Sequence, residues 1–296
     1  MSDQIRGSLF ALGAYGFWGV APVYFKWLSN VPAPEILAHR VLWSFILLAV
    51  LIFARQNWGA VRDVLGTPTR FRWLILSGIL VAGNWLLFIW ALLNERMVES
   101  SLGYFINPLV SVVLGVLFLG ERLRGLQFIA VALALIGVAN EVLRLGSLPW
   151  IALALALSFG FYGLVRKRVA VDSISGLAIE TALLLPLAIG YMLWVSHTGN
   201  LAFGRVDWKI NGLLVLAGLV TTIPLICFGA AALRLPLSTL GFFQYLAPSM
   251  MLLLAIYVYG EPFQRSQAVT FAFIWTGLLI FTLESLYHMR RKAIVV

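Results

Sequence analysis

The chain is predicted to be an all-α integral membrane protein, with ten transmembrane helices arranged as two inverted five-helix repeats. Three observations predict it: a composition too apolar for a soluble domain, ten apolar runs of spanning length, and a residue pattern that returns 140 positions later. Of 296 residues, 61% are hydrophobic and 11% charged, and the mean hydropathy is +0.96. Ordinary globular chains carry about 25% charged residues. Helix is the expected spanning element, because lipid offers no partner to exposed backbone groups and no period-two alternation suggests a barrel.

The spans are expected at 7–27, 35–54, 72–93, 100–119, 125–143, 148–165, 175–195, 211–232, 238–259 and 266–286. Each is long enough to cross a hydrocarbon core of ~30 Å as helix. Span one follows only Met1 to Arg6, is too long for a signal-peptide core and shows no small-residue cleavage site, so it reads as a retained helix. Its Gly13, Gly16 and Gly19 recur at every third position, which suits close helix packing. Span two carries Arg40 and stops at Arg55-Gln56-Asn57; span three stops at Asn94-Glu95-Arg96. Span four has Pro108 near its middle and ends at Gly120-Glu121, with span five following directly. Span six runs into Arg166-Lys167-Arg168, read here as a polar loop. Span seven contains Glu180 and Pro186, and the polar stretch from His197 to Lys209 separates it from span eight with Pro224. Span nine has Pro248, and span ten precedes the tail Arg290-Arg291-Lys292, too short for a polybasic lipid switch.

The repeat is exact in register. Pro108 with Gly120-Glu121 returns as Pro248 with Gly260-Glu261, Gln127 as Gln267, Gly78 as Gly218, and Gly137 as Gly277. Spans one and six align at a slightly different offset, matching Trp18-Gly19 with Tyr162-Gly163. The halves are therefore 1–145 and 146–296. Five is odd, so the second half must cross the membrane upside down, and such inverted repeats build two exchangeable gates around a midplane site.

Cytoplasmic loops carry the excess of Lys and Arg. With both termini cytoplasmic, fourteen fall inside: Arg6, Arg55, Arg62, Arg70, Arg72, Arg122, Arg124, Arg166, Lys167, Arg168, Arg234, Arg290, Arg291 and Lys292. Six fall outside, namely Lys26, Arg96, Arg144, Arg205, Lys209 and Arg265, and Arg40 lies within a span. This dispersed charge accounts for the net +9 without nucleic acid. The single Cys227 excludes an internal disulfide and multi-cysteine metal sites, and no cofactor is expected.

Two five-helix halves, each with a central proline and a fourth helix ending in Gly-Glu, resemble the EamA family of the drug/metabolite transporter superfamily. Pro108 and Gly120-Glu121-Arg122-Leu123 fit that pattern, and the second copy departs from it at Pro262. Ala38-His39-Arg40-Val41, Gly83-Asn84-Trp85-Leu86-Leu87-Phe88, Leu102 to Pro108 and Ser238 to Tyr245 are similar to the RarD-type permeases, bacterial inner-membrane proteins named for chloramphenicol sensitivity. The resemblance spans essentially the whole chain. It implies efflux or exchange of small organic molecules and no defined substrate.

Charges inside a membrane cost about 2.5–3.5 kcal/mol each on insertion scales and mark a pathway, a coupling site or a buried pair. Arg40 and Glu180 occupy the same place in the two repeats, since 40 plus 140 is 180. Inversion puts them on opposite sides of the midplane, so each is expected to cap one end of the pathway rather than bond the other. Snorkelling or a structural backbone bond is the alternative. His39 is expected to pair with Glu35 one turn away. His39 or Glu180 would take the proton if transport is proton-coupled. Pro108 and Pro248 each free a carbonyl in the preceding turn and are candidates for a gate, with simple kinking as the alternative.

The proposed cavity lining is uncharged. Tyr15 and Trp18 share a face, as do Tyr104, Asn107 and Ser111; Asn84 lies mid-span, Tyr162 matches Trp18, and Gln244, followed by Tyr245, matches Tyr104. Such a site suits amphipathic aromatic molecules or amino acids better than phosphorylated sugars. Helix packing is the competing role for each aromatic. Trp58, Trp73, Trp150 and Trp208, at span ends, read as interfacial anchors.

The leading expectation is a secondary transporter exporting small organic metabolites or drugs by alternating access, with the lipid bilayer, its solute and conceivably protons as partners, as monomer or homodimer. A uniporter or exchanger of amino acids or aromatic metabolites, and a channel or non-transporting sensor, stand as alternatives. Enzyme is disfavoured: the three histidines, His39, His197 and His288, include one within a span, and no His-Glu-x-x-His, Gly-x-Ser-x-Gly or paired aspartates occur.

Overall fold

The computed structural model describes residues 3–94, 96–145, 149–205, 207–258, 260 and 265–294. Glu261 and Pro262, the second half-boundary at 146 and the span bounds placed at 148 and 259 lie outside the described residues. Among the described residues the structure is wholly α-helical: α1 (Asp3–Trp27), α2 (Ala33–Arg55), α3 (Trp58–Leu65), α4 (Pro68–Leu93), α5 (Met97–Leu119), α6 (Gly125–Leu145), α7 (Trp150–Val169), α8 (Ser173–His197), α9 (Trp208–Arg234), α10 (Leu237–Phe243), α11 (Leu246–Tyr257) and α12 (Arg265–Ile294). Ten helical segments are long and apolar enough to span, with α10 and α11 together forming one. The unanticipated element is α3, in the loop expected to start at Arg55. Flank leucines and phenylalanines are mostly exposed (Phe53 74%, Leu117 71%, Leu143 80%, Leu187 74%), as lipid-facing positions should be.

Local chemistry sets the boundaries. Pro68 opens α4 at a position whose missing N–H has no partner in a helix in any case. Asp172 caps α8 by accepting from the Ser175 N–H at 3.0 Å. Gly120 ends α5 at φ +65°, a left-handed conformation that glycine adopts without penalty, and the repeat-matched Gly260 has the same φ. The turn at Gly120 sends Glu121 back across the bundle.

Contacts near both termini lie on one face: Gly7 packs on Arg234 and Leu235, Asn57 reaches Asp172 and Ser175, Glu121 reaches Leu237, and Arg124 pairs with Glu284. This is called the terminal face below. On the opposite face the Glu35 carboxylate accepts from the N–H groups of Ala202 (2.9 and 3.1 Å) and Phe203 (3.0 Å). Thus α1 runs away from the terminal face and α7, its counterpart, runs toward it.

The main packing pairs are α6 with α12, α5 with α7, α2 with α8, α1 with α9, α2 with α9, α4 with α7, α5 with α10 and α1 with α11. A Cβ on Gly137 would lie 2.9 Å from the Thr270 carbonyl oxygen, and one on Gly277 2.7 Å from that of Ala130. The two contacts are counterparts, as 130 plus 140 is 270. Because backbone is the obstacle, Gly277→Ala is expected to push α12 off α6 at a cost of about 1–3 kcal/mol. A thermal melt of the detergent-purified protein checks this, and an unchanged midpoint would mean the helices yield freely. Of the span-one glycines, Gly19 would clash with Met250 at 2.7 Å and Gly13 faces Cys227 at 3.8 Å, whereas Gly16 meets nothing within 4 Å.

The prolines act unequally. Pro108, Pro186 and Pro224 sit inside continuous α5, α8 and α9. Pro248 lies in α11, just after the interruption at Gln244 and Tyr245. The missing N–H of Pro248 denies the Gln244 carbonyl, four residues back where the span breaks, its helical donor, and that carbonyl accepts from the Ala247 N–H at 3.3 Å instead. The paired break expected from the repeat is therefore realised in the second half alone. In the first half Pro108 O instead packs on Gly241, whose Cβ would lie 2.9 Å away.

Candidate cavity and its closure

A cavity lies at the centre of the bundle and in the half away from the terminal face. Its interior leaves about 80 Å³ of room for the centres of water-sized molecules, and its wall is mainly apolar and aromatic with a few polar groups, as in small-molecule sites. Both halves line it: α1 gives Tyr15, Trp18, Pro22 and Phe25; α2 gives Arg40; α4 gives Asn84, Trp85 and Phe88; α5 gives Ser100, Tyr104 and Asn107; α7 gives Leu155 and Phe159; and the α10–α11 junction and α11 give Gln244, Ala247 and Met251. A second, wider crevice lies near the terminal face, bordered by Ile5, Leu9 and Leu12 of α1 and by Arg124, Phe242 and Phe281.

Six of the eight predicted lining residues meet here: Tyr15, Trp18, Asn84, Tyr104, Asn107 and Gln244. Tyr15 and Trp18 have ring centroids 5.4 Å apart. Asn107 Oδ1, buried in this set, has no protein partner, and the Tyr15 hydroxyl is turned to the Gln244 side-chain amide. Buried polar atoms are nearly always satisfied, so Asn107 Oδ1 marks where a solute or water would bond. Gln244 is oriented by its Nε2 donating to Ser111 Oγ at 3.1 Å. Asn84 is more constrained, since its Nδ2 donates to Leu155 O and Ser158 Oγ, both at 2.9 Å, and ties α4 to α7.

Tyr162 and Tyr245 are displaced from the predicted lining. Tyr245 is fully buried beside Phe242, its hydroxyl donating to Phe105 O at 3.3 Å, because the break before α11 turns it away from the cavity. Tyr162 lies one layer below, stacked on Phe228 with centroids 5.6 Å apart. Phe228 also meets Tyr15 (6.3 Å), Trp18 (6.0 Å) and Phe159 (5.0 Å). These rings close the cavity toward the terminal face.

Beneath the plug lies a buried polar lock. Glu180 Oε1 accepts from Arg166 Nη1 at 3.4 Å and from Ser77 Oγ, while Tyr162 donates to Oε2 at 3.4 Å. Arg166 is 3% exposed and helical, not a loop residue as its basic neighbours suggested. Its guanidinium fits against Gly176 and Gly229, where a Cβ would come within 1.8 and 3.2 Å. Nearby, Glu121 accepts from Leu237 N (2.5 Å), Ser238 N (2.9 Å) and Ser238 Oγ (2.7 Å), capping α10 from the end of α5. Lys167 Nζ donates to Ala232 O and Leu235 O.

Arg40 and Glu180 do not meet. Each stands seven residues inside its helix, roughly 10 Å from the start at the α-helical rise, one toward each face. Arg40 Nε donates to Thr221 Oγ1 at 2.9 Å. The expected Glu35–His39 pair does not form, because Glu35 is taken up by the loop amides at Ala202 and Phe203. His39 Nδ1 accepts from Trp43 Nε1 at 3.1 Å, its ring lies 4.8 Å from Phe203, and Nε2 is buried without a partner. Sequence reasoning missed Arg166, Glu121, Phe228 and Pro22. Pro22 carried a signal, being a proline inside a span, whereas the partners of the others come from distant helices.

A ten-span helical bundle with a small-molecule cavity between its halves defines a polytopic membrane transporter. Residues 5–140 match the EamA-like transporter family. An uncharacterized transporter of Vibrio cholerae is 54% identical, covering 98% of this chain and 97% of its own length. Protein RarD of Escherichia coli is 52% identical over 97% of each, and the chloramphenicol-sensitive protein RarD of Pseudomonas aeruginosa is 33% identical over 97% of each. A solved crystal structure of a protein 22% identical shares the fold, with a TM-score of 0.71 and coverage of 94% of this chain and 97% of its own. The chain belongs to the EamA-like transporter family, as a RarD-type permease, and is a multi-pass bacterial membrane protein.

Proposed function

We propose that this permease is a secondary carrier that moves small organic molecules across the inner membrane by alternating access, with both termini cytoplasmic. The observation that carries this reading is a central cavity lined by both halves, with Asn107 Oδ1 unpartnered in its wall, closed on the terminal side by an aromatic plug and the Glu180–Arg166 lock. The two halves, 1–145 and 146–296, act as an inverted pair. The reciprocal contacts of Gly137 and Gly277, and packing pairs that exchange with one another when the halves are swapped, support that symmetry. Alternation then consists of releasing the lock while the counterpart helices close over Arg40. Energy comes from the solute gradient, from exchange, or from protons. Of the two groups considered for proton exchange, Glu180 is engaged by Arg166, which favours His39 with its unpartnered Nε2.

The test is counterflow in proteoliposomes loaded with a cell metabolite extract, with and without an imposed pH gradient. Saturable counterflow, at least about tenfold weaker in Asn107→Ala (a lost buried hydrogen bond of 1–2 kcal/mol or more) with a normal melt, is the expected result. Stimulation by the gradient should vanish in His39→Gln if protons are coupled. Non-saturating flux would indicate a channel, and no flux of any solute a sensor; either outcome would falsify the carrier reading.

A further inference from the structure

Arg40 is 6% exposed, borders the cavity, and makes no ion pair with any carboxylate among the described residues. Its one side-chain hydrogen bond there is from Nε to Thr221. The guanidinium carbon lies 4.5 Å from the Trp85 ring centroid and 5.4 Å from that of Phe25. Its electrostatic neighbours are the phenols of Tyr24 and Tyr104. Glu35, on the same helix, is committed to the backbone amides at 202 and 203. The two rings lie within cation–π range of the guanidinium, while its two terminal nitrogens make no hydrogen bond among the described residues. An arginine held by rings and by Nε, with its terminal nitrogens free, can take a carboxylate in bidentate fashion.

The rest of the lining sharpens the chemistry. No Asp or Glu borders the cavity, so an ammonium group would find no counter-charge. One cation balances one negative charge, whereas a phosphate dianion calls for more. The remaining wall is aromatic, from Trp18, Trp85, Phe88 and Phe159, and the unpartnered Asn107 Oδ1 is an acceptor that needs a donor from the solute.

Resting on the carrier reading above, we propose that Arg40 is the anion subsite of the cavity and that the solute is an organic monoanion. It consists of a carboxylate on an apolar, preferably aromatic, body whose far end carries a hydroxyl or N–H donor. A buried cation without a counter-ion is then the resting cost of a site that the bound carboxylate neutralises.

The full-length protein in detergent can be titrated with five 4-hydroxyphenyl compounds that differ in their head group: 4-hydroxyphenylacetate, its primary amide, tyramine, zwitterionic tyrosine and 4-hydroxyphenyl phosphate, read by calorimetry and thermal shift. The carboxylate is expected to bind at least about tenfold tighter than the amide and the amine, the span of one charge-assisted hydrogen bond. Arg40→Gln should reduce it to the level of the amide, leave amide binding within about twofold, and keep or raise the melting point of the ligand-free protein. A structural Arg40 would instead lower the ligand-free melt and leave the ranking of ligands untouched. Equal or tighter binding of amide or amine, or no binding by the carboxylate, overturns the monoanion assignment. The carrier reading survives that outcome if Asn107→Ala still weakens counterflow, and falls only if counterflow itself is absent.

Discussion

Replacing Glu180 by glutamine should destabilise the protein by about 3 kcal/mol, the lower end of the cost of breaking a buried ion pair, because glutamine keeps part of the hydrogen bonding. The lost charge leaves the Arg166 guanidinium 3% exposed with only the distant carbonyls of Asp172 and Ser173, at 3.5 Å, as acceptors. Arg166→Met is expected to cost a similar amount by stranding the carboxylate. The double replacement Glu180→Gln with Arg166→Met should recover most of the loss, since no unpaired charge remains buried. Thermal or denaturant unfolding of the four proteins forms a double-mutant cycle. A coupling below about 0.5 kcal/mol would show that the two groups are independent. The same variants report on gating: with the lock open, the cavity should be reached from the terminal face, and flux should change in the double variant even where its stability is restored. Restored stability with unaltered flux would make the pair purely structural.

The second large effect is expected at Glu121. Its carboxylate gathers two N–H groups and one hydroxyl at the start of α10, and hydrogen bonds to a charged group contribute about 1.5–3 kcal/mol each. Water replaces part of this in Glu121→Ala, so a net cost of about 2–4 kcal/mol is expected. The cost falls on the state in which α5 and α10 are joined. An equilibrium that favours closure on the terminal side by a few kcal/mol would move toward the other conformation, and a ligand specific to the closed side would bind more weakly in proportion. Labelling of a cysteine placed at Ser158, in a Cys227→Ala background, measures access from the terminal face. It should rise in Glu121→Ala and stay low in Glu121→Asp if the shorter carboxylate still reaches Ser238. Equal labelling in all three proteins would remove Glu121 from the gate.

How much could be read in the chain differs between elements for physical reasons. A spanning helix is a local object: its length follows from bilayer thickness and its composition from the absence of water, so the expected span bounds fall within about four positions of the helices found, except at the end of the tenth, where α12 runs to Ile294, eight residues beyond 286. The exceptions are instructive. The helix α3 is short enough that packing decides it, with Val64 buried among Leu74 and Val165. Arg166 was assigned to a loop because its neighbours Lys167 and Arg168 are basic, and basic runs ordinarily mark the membrane surface. Helix α7 instead continues to Val169, and Glu180, fourteen residues later, supplies the counter-charge that permits burial. Similarly, Glu35 and His39 have the spacing of a helical pair, but a loop more than 160 residues away offers backbone donors that serve the carboxylate better.

The residues themselves determined the class of protein, the number of spans, the repeat register and six of the residues that line the cavity, because hydropathy, helical periodicity and a constant offset of 140 are properties of order along the chain. Tertiary structure decided which charges are paired and which are left open: Glu180 locked to Arg166, Glu121 spent on α10, Arg40 beside two rings with its terminal nitrogens unbonded. Ion pairs and caps depend on distances of a few ångströms between different helices, whether fourteen or more than a hundred residues apart, and no pattern within a helix encodes them.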